Sequence, residues 1–187
     1  RVFLSASTLA GPFYIIYAKE VLRAPVSMVG VYLPLLTLST ILSNIVWSAL
    51  ARRRGNRLLI GVSVFCHLMA PLTALVLPVV LGGLGASTSA IVRAFSLVFA
   101  IRGTASSGTG IGTTSYLLLI SPRENRPTYV GLNNTILGLT AFLPALGGFL
   151  SDTFGYQVIF GVAACMMAVA LSLVWGLVDV RAPVGVA

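Results

Sequence analysis

The sequence predicts an all-α integral membrane protein, a bundle of six spans, and three observations predict it. Hydrophobic residues fill 57% of the 187 positions and charged residues only 9%, whereas soluble domains carry about 25% charged residues. The mean hydropathy of +1.00 comes from long apolar runs separated by short polar clusters, and a run of roughly 18 apolar residues crosses the hydrocarbon core as a helix. Lipid offers no partners to backbone polar groups, so spans are helices or closed barrels. The sequence lacks the alternation over about ten residues that barrel strands require.

The first span, 2–18, is interrupted by Gly11-Pro12 and ends at Lys19-Glu20. The second, 27–50, contains Gly30 and Pro34 and leads into Ala51-Arg52-Arg53-Arg54-Gly55-Asn56-Arg57. The third, 58–81, carries Pro71 and Pro78, which membrane helices accommodate where neighbours satisfy the freed carbonyls. After the glycine-rich turn at 82–89 a fourth span covers 90–120, and its residues 103–115 are small or polar at most positions. Gly108 and Gly112 there have the spacing of close helix packing. The fifth span is 128–150, and the turn Ser151-Asp152-Thr153-Phe154-Gly155 leads to the sixth, 156–178. Residues 1–187 are thus expected to form a single transmembrane domain. The chain opens on Arg1 without a cleavable-signal pattern and is expected to be a fragment lacking its natural N-terminus.

The net charge of +8 does not point to nucleic acid, because the basic residues lie in connections and not along a polar face interleaved with aromatics. It points to orientation. With alternating spans, one face receives Arg1, Arg52, Arg53, Arg54, Arg57, Arg123, Arg126 and Arg181, and the other Lys19, Arg23 and a snorkelling Arg93. The positive-inside rule makes the richer face cytoplasmic, so both termini are expected inside, with the cell membrane as the expected location. Cys66 and Cys165 lie within spans and read as buried thiols. One His, two separated Cys and four scattered acids supply neither a metal cluster nor the grouped nucleophiles or carboxylates of an active site. No metal, cofactor or enzymatic activity is expected.

An internal repeat appears at an offset of one hundred positions. Ser48 to Gly55 follows the second span and Gly148 to Gly155 follows the fifth, and each runs from a small residue through Leu and a charge to Gly. Three helices separate the copies, so they fall on opposite sides of the membrane, as an inverted three-plus-three repeat requires.

On these features the sequence resembles the major facilitator superfamily of secondary transporters. Residues 48–57 are similar to that family's loop signature at Arg53, Gly55 and Arg57, and depart from it at Ser48, Arg52 and Asn56. Pro144 to Tyr156, with Gly148, Asp152 and Gly155, resembles the entry into the last helix of a six-helix half, and Pro122 to Arg126 the loop before the penultimate helix. The degenerate first loop suits the family's C-terminal half, and the N-terminal half is the alternative. The resemblance implies one half of a transporter working by alternating access on a small solute, its partners being the lipid bilayer and the other six-helix half. A non-transporting receptor or scaffold on the same fold is the rival function.

Candidate functional residues follow from polarity within spans. Arg102 lies about 18 Å into the fourth span, where a cation faces a cavity or a partner. With Gly103, Gly108, Gly110 and Gly112 it resembles the family's arginine-containing motif associated with proton coupling; the rival role is a bond to helix-end carbonyls. His67 can titrate near neutral pH or donate to a carbonyl. Asn44, Asn133 and Asn134 can line a substrate path or bond between helices. Tyr14 and Tyr32 read as interface anchors or substrate contacts, and Asp152 as a gating residue or a cap of the last helix.

Overall fold

The computed structural model describes residues 1–177, and every regular element among them is helical. Arg181 and the predicted end of the sixth span at 178 lie outside the described residues. The first span is a 3-10 turn at Phe3–Ser5, then α1 (Ala6–Ala10) and α2 (Phe13–Glu20); α3 covers Val26–Arg54, α4 Asn56–Gly83 and α5 Thr88–Ile120. The fifth span is α6 (Arg126–Leu139), a 3-10 turn at Thr140–Phe142 and α7 (Leu143–Phe154), and α8 runs Tyr156–Trp175. Five segments, from α3 onward with α6 and α7 counted together, are long and apolar enough to cross a membrane.

Two breaks have the same cause. Pro144, in the first turn of α7, has no N–H for the carbonyl of Thr140, so the helix restarts there. Pro12 likewise stops α1, and Ile15 N–H turns to the Pro12 carbonyl at 3.2 Å, which leaves the Gly11 carbonyl without a helical partner. The basic run 52–54, expected in a connection, forms the last turn of α3, where cations complement the helix dipole.

Packing obeys the inverted repeat. Exchanging the first three spans for the last three turns the packed pair α3–α5 into α7–α1, and α4–α5 into α8–α1; α4–α8 maps onto itself, and all are packed pairs. Glycines set the approach of α5 to its neighbours. A Cβ on Gly103 would lie 2.2 Å from the Leu36 carbonyl oxygen, one on Gly108 2.6 Å from Ser63 Cβ and 2.9 Å from the Trp47 ring, and one on Gly112 2.8 Å from Ile60. In the other triplet a Cβ on Gly147 would lie 2.5 Å from the Phe13 ring. Trp47 and Gly147 share the hundred-residue offset, so the aromatic ring and the glycine that receives it have changed places between the repeats. Cys165 was expected to be buried and is instead exposed on the outer face of α8, because an apolar run does not say which of its faces turns to lipid.

Candidate functional site

The two ends of the bundle differ. At the end that carries Lys19 and Ser87, aromatic rings fill the interior: Tyr14 stacks on Phe160 at 4.7 Å, Tyr32 on Phe99 at 4.5 Å, and Tyr17 meets Phe95 and Phe160 edge-on or tilted. Such pairs contribute about 0.5–1.5 kcal/mol each beyond their area. From midspan toward the opposite end, a cavity of about 450 Å³ opens between the first span, α4, α5 and the fifth span. Its walls are mostly hydroxyls, among them Thr8, Ser106, Thr109, Thr113 and Thr140, joined by His67, Asn134 and Arg1, and no carboxylate among the described residues lines it.

Small side chains in 103–115 have two uses at once. On one face of α5 the glycines admit α3 and α4; on another, Ser106, Thr109, Gly110 and Thr113 border the cavity. Helical threonines return their hydroxyl protons to the backbone: Thr109 donates to the Ala105 carbonyl at 3.0 Å. Its oxygen then accepts from His67 Nε2 at 3.2 Å, which assigns the proton to Nε2 from the network. His67 is itself buried. Arg1 crosses the cavity mouth, donating to Asn133 Oδ1 at 2.8 Å and to Thr113 Oγ1 at 2.6 Å.

Arg102 sits near the middle of α5 and half-buried. Its Nη1 donates to the Gly11 carbonyl at 3.2 Å, the acceptor that the Pro12 break releases, and its guanidinium lies 4.5 Å from the Tyr14 ring centroid. A cation over a desolvated aromatic face gains about 2 kcal/mol. The arginine therefore ties α5 to the broken first span, and it does not line the cavity.

The structure brings His67 and Asn134 together in the cavity, while Asn133 lines an adjoining, mostly apolar pocket and donates to Asn134 Oδ1 at 3.3 Å. Tyr14 and Tyr32 lie in the aromatic core, fully enclosed, with the Tyr32 hydroxyl donating to the Val92 carbonyl at 2.8 Å. Asn44 is exposed on α3 and accepts from the Ser107 hydroxyl. Arg53 is exposed, Arg57 donates to the Trp175 carbonyl, and Gly148 faces open space. Asp152 lies within α7 and accepts from Ser151; α8 has no side-chain cap. At the aromatic end Tyr156 donates to Glu20, linking the first and last spans. Sequence reasoning missed Ser106, Thr109 and Thr113 as cavity residues, although the polar stretch that contains them was its signal.

A helical membrane bundle of paired triplets, sealed at one end and polar at the other, is the architecture of a multi-pass membrane transporter. The family model for the Major Facilitator Superfamily matches residues 2–187, and the chain belongs to that family. No curated protein and no solved structure gives a significant match. The chain is an integral, multi-pass membrane protein of a transporter family.

Proposed function

We propose that this chain is one six-helix half, the C-terminal one, of an alternating-access transporter in the cell membrane, and that the hydroxyl-lined cavity is its share of the solute path. The single observation that carries this reading is the asymmetry of the bundle: aromatic stacking closes one end while the cavity opens toward the other. Among the described residues its walls offer hydroxyls, an amide, an imidazole and a guanidinium and no carboxylate. They suit a polar solute that is neutral or anionic, because the one charged side chain among them, Arg1, is a cation that attracts an anion and repels another cation.

The other half supports itself on faces left without partners. Gly131 and Gly138, seven residues apart on α6, have nothing within 4 Å, and Leu139, Phe142 and Phe149 along the fifth span are mostly exposed. Small residues of this kind let a second bundle approach closely. Alternating access then rocks the halves about the midplane, with Arg102 and His67 as the coupling groups if protons are used. Both termini of the chain face the cytoplasm in this reading, since the arginine-rich side does.

Vesicles containing the full-length protein test it. Uptake of at least one neutral or anionic polar solute is expected, and comparing runs with and without a proton gradient reads the coupling. Failure to move any member of a broad panel under either condition would count for the receptor or scaffold function.

A further inference from the structure

A second concavity, which shares no lining residue with the polar cavity, carries chemistry that solute movement does not use. It is a groove of about 360 Å³ on the flank of the bundle between the start of α4 and the end of α8, with Leu58, Val62, Phe65, Leu171 and Val174 along it. Gly61 keeps its floor open, since a Cβ there would meet nothing but Val174, at 3.5 Å. Arg54, Arg57 and Trp175 stand at its mouth.

The arrangement has polarity along its length. From Arg57 to Phe65 the groove descends about 12 Å along α4, from headgroup depth into hydrocarbon. Arg57 donates to the Trp175 carbonyl and its guanidinium lies 5.9 Å from the centre of the Trp175 ring, which fixes the cation over the groove. Arg52, Arg53 and Arg54 are exposed on the last turn of α3, and among the described residues no carboxylate pairs with any of the four arginines. Guanidinium forks match the oxygens of a phosphate, and a basic cluster beside an apolar groove, with no carboxylate partner among the described residues, favours a net negative headgroup over a zwitterion.

We propose that this groove binds an acidic phospholipid. Its phosphate sits against Arg54 and Arg57, and one acyl chain runs along Leu58, Val62 and Phe65. The site uses the repeat's first loop and the last helix, so an acidic lipid fastens α4 to α8 on the leaflet that meets the arginines.

Native mass spectrometry of the full-length protein, released from detergent with equal amounts of phosphatidylglycerol and phosphatidylcholine, tests this. The wild type is expected to retain phosphatidylglycerol preferentially. The double variant Arg54→Gln/Arg57→Gln is expected to lose that retention about tenfold, and Arg123→Gln/Arg126→Gln, which removes equal charge from another loop on the same side, to lose much less. Val62→Trp keeps every arginine and fills the groove at an exposed position, and it too is expected to reduce retention. Equal retention of the two lipids, equal losses from the two double variants, or undiminished retention in Val62→Trp would each overturn the proposal. Lipid retention is read without transport, so its outcome is independent of the transporter assignment.

Discussion

Gly55 and Gly155, one hundred residues apart, hold the same backbone conformation: φ 83° and ψ 168° in the first, φ 82° and ψ 168° in the second. Each donates its N–H to the carbonyl four residues back, Ala51 or Ser151, and the next helix begins one residue later. A side chain is strained in this region of backbone space, which is essentially confined to glycine. Gly55→Ala and Gly155→Ala are each expected to lower stability by about 1–3 kcal/mol. The losses should add in the double variant, because the turns lie at opposite ends of the bundle. Thermal unfolding of the solubilised protein measures this, with Gly30→Ala as the control: its φ is ordinary and its surroundings open.

The α5 glycines should separate folding from transport. In Gly103→Ala the new methyl meets a backbone carbonyl that cannot rotate away, so the yield of monodisperse protein is expected to collapse. Gly112→Ala meets Ile60 Cγ1, a side-chain atom that can shift where a backbone carbonyl cannot, and is expected to cost about 1–3 kcal/mol. Gly110→Leu has open space and projects into the cavity. It is expected to fold with near wild-type yield and to lose most solute uptake, which size-exclusion profiles and vesicle assays distinguish.

Arg102→Ala is expected to insert in the membrane and lose transport. The Gly11 carbonyl is left unsatisfied, which costs about 1–3 kcal/mol, and the stacking on Tyr14 is lost. Arg102→Lys keeps the charge without the planar fork, so it should restore part of the stability. Full uptake by Arg102→Ala would remove the arginine from the mechanism.

Orientation can be read by labelling. In a Cys66→Ala/Cys165→Ala background, a cysteine replacing Arg53 should react only with reagent supplied from the cytoplasmic side, and one replacing Ser87 only from outside. The reverse pattern would invert the topology.

The sequence made five of the spans legible because length and hydropathy alone define them, whereas the first is broken at Gly11-Pro12 into helices too short to cross a membrane. The loop repeat was legible because its glycines are obligatory. Side-chain facing was not legible. In a membrane both the lipid side and the interior of a helix are apolar, so periodicity could not tell that Tyr32 packs on Phe99 or that Cys165 points outward. The partner of Arg102 was hidden differently: Gly11 lies 91 residues away, and its carbonyl becomes available only because Pro12 breaks the first span. The polar stretch 103–115 was visible, yet its division into a packing face and a cavity face depends on where α3 and α4 lie.

A bundle whose helix pairs are unchanged when its triplets trade places has no intrinsic right way up. The turn at Gly55 would serve as well on the far side of the membrane, since Gly155 already performs it there. What distinguishes the two turns in charge is Arg52 in one copy and Asp152 in the other, so in the proposed orientation a few arginines decide which of two like turns meets the cytoplasm.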